Sequence, residues 1–158
     1  MRRHLLHVLA LAGALMLSSC AWSQSSPTSD LMPGDVVENR QRLMRLLGGS
    51  WGDIQAKAKA GNIEAIAVNA ETIAVSSYHI PRLFPEGSLV EKSNAKPEIW
   101  QRRDEFNTAA KNLTALAEQL RDAARSKDPA AVEARVKEFG AKACGTCHTP
   151  FRKPLPRK

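Results

Sequence analysis

Cys144-Gly145-Thr146-Cys147-His148 constrains this chain more than any other stretch. Two thiols three residues apart, with an imidazole directly after the second, have the spacing of a covalent attachment site for c-type haem. Residues i and i+3 lie on one side of a helix. Each thiol can therefore form a thioether to one vinyl group of the porphyrin, while His148 offers a ring nitrogen to the iron. A haem held this way fills part of the core of a small domain, so the rest of the chain has to fold around it.

Other chemistries fit the five residues less well. A redox dithiol is expected to open a helix within a βαβ context, whereas this pair comes near the end of a helix-like segment with no strand pattern before it. A zinc site needs about four Cys, His or carboxylate ligands. Outside the motif the mature chain offers His79, and Cys20 sits beside an export signal. A disulfide between residues three apart inside a helix would be strained. Haem attachment is the leading reading, and a thiol oxidoreductase with free Cys144 and Cys147 is the alternative.

Residues 1–19 begin with Arg2 and Arg3 and continue through an apolar run from Leu5 to Leu17. A basic start and so short an apolar run predict an export signal rather than a membrane span. Leu17-Ser18-Ser19-Cys20 resembles the lipobox of bacterial lipoproteins, which would make Cys20 the lipidated first residue and tether the protein to the membrane. A cut after Ala21-Trp22-Ser23 also obeys the small-x-small rule of ordinary cleavage. Residues 20–34 are rich in Ser and Pro and read as a linker; residues 154–158 form a basic tail.

The remainder is long enough for one core, and its periodicity is helical. Val36/Val37, Leu43/Met44, Leu47, Trp51 and Ile54 recur at steps of three or four, which places one apolar stripe on a helix from about Gly34 to Ala60. Arg40 falls on that stripe, either as a snorkelling side chain or as a partner for an anionic group such as a haem propionate. Met44, one turn on, is a core methionine or an iron ligand. Gly61 ends this helix and Asn62 can cap the next. The second helix runs from about Ile63 to Ile80, with His79 near its end as a surface residue. Pro81, Pro85 and Gly87 mark a long connection. A third helix starts at Pro97 and carries Phe106, Ala110, Leu113, Ala117, Leu120 and Ala124 inward. Asp128-Pro129 opens a fourth, which leads through Val132, Val136, Phe139 and Ala143 to Cys147.

Four amphipathic helices with two short links and one longer crossing segment predict an all-α fold, an antiparallel four-helix bundle. In such a bundle the first and fourth helices can be neighbours, which would turn Arg40 and Met44 toward the haem. The formal charge is +7, and +5 once Arg2 and Arg3 leave with the signal. That modest basic surface suits steering toward an acidic redox partner. The basic residues form no long run and do not interleave with aromatics, so nucleic-acid binding is not expected. No phosphate-loop, dinucleotide or nucleophile-elbow motif occurs, and no nucleophile–base pair can be assigned, so the chain is not read as an enzyme.

At this point the sequence resembles the class II c-type cytochromes, the cytochrome c′ family. The resemblance covers about residues 35–153. It rests on Arg40-Gln41-Arg42-Leu43-Met44, Phe84-Pro85-Glu86-Gly87-Ser88, Ala95-Lys96-Pro97-Glu98-Ile99-Trp100 and Cys144 to Arg152. The lipobox-like signal and Pro150 depart from the pattern. The resemblance implies one covalent haem c, thioethers from Cys144 and Cys147, and axial ligation by His148. It also implies Arg152 near the proximal side, Arg40 by the haem edge and Met44 over the distal face. Members divide at that distal position. Five-coordinate members keep an apolar residue there, sometimes a methionine that does not bind, and low-spin relatives use a methionine as sixth ligand. The implied function is periplasmic electron transfer with a redox partner protein; the alternative is binding of NO or CO by five-coordinate iron. A homodimer is compatible with either.

Overall fold

The computed structural model describes residues 33–154. The expected export signal, Cys20, the linker up to Met32 and the last four residues of the basic tail lie outside the described residues.

Four long helices carry the fold: α1 (Pro33–Lys59), α2 (Ile66–Ser77), α3 (Arg103–Arg125) and α4 (Pro129–Phe139). The periodicity explains which faces meet. Ile66, Ala67, Ala70, Ile73, Ala74 and Ser77 are all buried on α2, and Phe106, Ala110, Leu113, Ala117, Leu120 and Ala124 on α3. Alanines dominate where these two stripes meet, which lets the helices approach closely. α2 packs against α1 and α3, α3 against α4, and α4 back against α1. The result is a closed bundle of four helices around one core, with Ile54, Ile66, Ile73, Leu120 and Val132 fully buried. Among the described residues there is no strand, only an isolated antiparallel bridge between Ala95 and Arg152.

Helix ends follow local chemistry in part. Gly61 adopts φ +72°, a left-handed conformation that favours glycine, and it terminates α1. Asp128 caps α4 by accepting from the Ala131 N–H at 3.0 Å, with Pro129 in the first turn. Asn62 does not cap α2. Residues 63–67 pass through i→i+3 turns first, with Ile66 N–H on Ile63 O and Ala67 N–H on Glu64 O. The helix then starts at Ile66 without a side-chain cap. It also stops at Ser77, and a 3₁₀ turn, Ile80–Leu83, follows with Pro81 in it.

The third expected helix is interrupted. A single turn, Glu98–Gln101, is separated from α3 by Arg102 at φ −121°, ψ 51°. The break accompanies two anchors onto the crossing segment. Trp100 Nε1 donates to Pro85 O at 2.9 Å, and Arg103 donates to Phe84 O at 2.6 Å and Pro81 O at 2.8 Å.

The fourth helix is not regular through to the cysteines. After Phe139 it widens into a π segment, Gly140–Gly145, then resumes as α5 (Thr146–Phe151). A π turn adds a residue and re-aims everything after it, a device frequent at functional sites. The Thr146 hydroxyl donates to Lys142 O at 2.6 Å, occupying a carbonyl in the widened turn. Gly140 lies against Trp51, whose ring stands 3.9 Å from the place a Cβ would take.

Candidate haem site

Between α1, the crossing segment and the C-terminal segment lies an apolar cleft of about 240 Å³. Val37, Leu47, Trp51, Phe84, Phe139 and Phe151 supply much of its wall, and Arg40, Met44, Cys144, Cys147, His148 and Arg152 line it as well. The structure thus brings together every site residue expected from the sequence. His79 is exposed and does not line the cleft. The expected adjacency of the first and fourth helices holds: Trp51 of α1 stacks on Phe139 of α4 with centroids 4.9 Å apart.

The donor set has a defined electrostatic character. Cys144 and Cys147 are half-buried free thiols. Burial pushes the Cys144 thiol up, and burial together with Cys144 pushes Cys147 up to about 11. Redox-active dithiols need a depressed pKa, and these two are shifted the other way. Burial, then the nearby Arg152 charge, holds His148 below its ordinary 6.5. The imidazole is therefore neutral at pH 7, the form that can give a lone pair to iron. Two neutral thiols, a neutral imidazole and an apolar wall fit a covalent haem. Among the described residues no three His, Cys, Asp or Glu side chains come together as metal ligands.

Arg40 does not take the first of its two expected roles. Only 4 % of it is exposed, so it does not snorkel to water. Nε donates to Leu83 O, Nη1 to Ser88 O at 3.1 Å and Nη2 to the Ser88 hydroxyl, and the guanidinium lies 4.2 Å from the centre of the Phe84 ring. Burial lowers its pKa to about 10, which still leaves it cationic at neutral pH. Arg40 staples the crossing segment to α1 and holds Phe84 in the cleft wall.

The far wall is closed by the chain end. Lys96 N–H donates to Phe151 O at 3.0 Å, and Lys153 N–H donates to Asn94 O at 2.8 Å. This docking puts Ser93, Asn94 and Ala95 into the lining. Neither it nor the Trp51–Phe139 stack was expected from the sequence, because both depend on contacts between remote segments.

A family profile described as cytochrome C′ matches residues 35–152. The chain belongs to the cytochrome c′ family. Cytochrome c-556 of Agrobacterium tumefaciens (strain II Chrys) is 35% identical over 119 residues, which cover 73% of this chain and 95% of that relative. The crystal structure of cytochrome c′ from Thermochromatium tepidum superposes with a TM-score of 0.71 at 27% identity, covering 79% of this chain and 99% of the other. A nitric oxide complex of a cytochrome c prime variant from Alcaligenes xylosoxidans gives 0.69 at 26%, covering 78% and 97%. Haem c, bound covalently, is the cofactor of the family and of this cytochrome c′ chain.

Proposed function

We propose that this protein is an exported monohaem cytochrome that carries single electrons in the periplasm. One observation supports the reading above others: Cys144, Cys147 and His148 meet in the wall of one apolar cleft. Haem c supplies reversible one-electron exchange when bound. In this reading Cys144 and Cys147 hold it through thioethers, and the neutral His148 ring provides the axial nitrogen. Trp51, Phe139 and Phe151 exclude water. Arg40 uses three of its five N–H groups on the crossing segment, leaving two for a propionate at the cleft edge. Arg152 adds a second positive charge near His148. Residues 1–19 direct export, and Cys20 is the lipidation site, with residues 35–153 as the cytochrome domain.

A second reading, capture of NO or CO, is favoured by Met44. Its half-buried thioether stands among apolar neighbours in the α1 wall, and a similar protein has been solved with nitric oxide. A spectroelectrochemical titration of the purified protein tests the first reading. The expected result is a fully reversible one-electron change with low-spin bands or with high-spin bands. A haem that cannot be cycled reversibly would count against electron carriage.

A further inference from the structure

Residues 80–84 border two depressions. Ile80 and Phe84 line the haem cleft, while Pro81 and Arg82 line a second one of about 320 Å³. The second carries three cations, Arg82, Arg103 and Lys111, and no Asp or Glu lines it. Among the described residues none of the three has a carboxylate within 4.0 Å, although seven other ion pairs form on this surface. Arg103, Asn107 and Lys111 follow at steps of four along α3, so they share one face.

Arg103 is held in place while its charge is not cancelled, and Arg82 and Lys111 are exposed beside it. Arg103 donates to Phe84 O and Pro81 O, neutral acceptors that fix its planar fork. Arg82 lies 5.8 Å from the Tyr78 ring centre. The carbonyl end of α2 contributes at most about half a negative charge. Three positive charges around one depression repel one another, and a bound anion relieves that repulsion. A carboxylate supplies a single charge, whereas a phosphate dianion supplies two, and its tetrahedral oxygens can accept from donors approaching in three directions.

We propose that this depression is a phosphate-binding site, taking inorganic phosphate or the phosphate group of a small monoester. It shares the 80–84 wall with the haem cleft and uses none of the haem-holding residues. Calorimetric titration of the holoprotein with sodium phosphate, in sodium chloride of matched ionic strength, tests it. Saturable binding of one phosphate is expected. Arg82→Gln and Lys111→Gln should each weaken it by about three- to tenfold with an unchanged haem spectrum, while Lys153→Gln, beside the haem motif, should leave it intact. Glycerol 2-phosphate in a parallel titration separates the two sources: tighter binding of the ester identifies a monoester site, and tighter binding of inorganic phosphate identifies a site for the free ion. No saturable heat in excess of chloride overturns the proposal. So does a loss on Lys153→Gln equal to that on Lys111→Gln, since the binding would then follow net charge rather than this site.

Discussion

Arg40→Met keeps an unbranched apolar stem in the α1 stripe while removing the guanidinium that staples the crossing segment. Leu83 O and Ser88 O lose their side-chain donors, at about 1–3 kcal/mol for each carbonyl left unsatisfied. The Ser88 hydroxyl still donates to Pro85 O and costs little. Loss of the cation over Phe84 adds about 1 kcal/mol, for a gross loss of about 5 kcal/mol. Against this, methionine need not be desolvated as a cation. The fall in the Arg40 pKa from 12.5 to about 10 puts that relief at about 3 kcal/mol. The net destabilisation is about 2 kcal/mol, which for a domain of this size lowers the thermal midpoint by about 8 °C. Circular dichroism at helical wavelengths during heating measures it. Arg40→Lys should not restore the midpoint, because an ammonium cannot fork between Leu83 and Ser88. A midpoint within about 2 °C of the wild type for Arg40→Met would refute the stapling argument.

Met44→Leu should turn a low-spin spectrum high-spin and lower the reduction potential if the Met44 sulfur is bound to iron. If it only crowds the distal side, the wild type is already high-spin and Met44→Ala mainly speeds CO binding; a low-spin wild type left unchanged by Met44→Leu contradicts both. Cys20→Ser should move the protein from the membrane fraction to the soluble periplasm, and a wild type already soluble, with Gln24 at its amino terminus, rejects lipidation. The third concerns acid. In the haem-free Cys144→Ala/Cys147→Ala chain, burial depresses the folded pKa of His148 below 6.5, so the unfolded chain takes up a proton that the folded one refuses. Its stability should therefore be full above about pH 6.5 and fall as pH drops through the lower folded value; a urea midpoint unchanged from about pH 7.5 to 5 contradicts the assignment.

Much of the bundle was legible because α3 is strongly amphipathic with few interruptions. The stripe from Phe106 to Ala124 needs only the helical period to be read. The haem motif was legible because its chemistry is local: five consecutive residues hold two thiols and an imidazole. What stayed hidden is tertiary. Arg40 on an apolar stripe has the same one-dimensional pattern whether it snorkels, meets a propionate or bonds Leu83 and Ser88, which lie 43 and 48 residues away. The break at Arg102 accompanies Trp100 and Arg103 reaching the crossing segment, and helix propensity does not encode it. The π segment at Gly140–Gly145 is likewise invisible to a 3.6-residue period, and so is the approach of Trp51 to Gly140. The steps of four from Arg103 to Lys111 were visible in the sequence, but only the turn at Ile80–Leu83 brings Arg82 beside them.

Covalent attachment carries the rest of the account, and the intact mass of the purified chain after acid–organic extraction tests it most directly. The wild type should retain the mass of one haem, and Cys144→Ala with Cys147→Ala should lose it completely. A wild-type chain that leaves extraction at the mass of the polypeptide alone, or a double variant that keeps its haem, would contradict the assignment of Cys144 and Cys147.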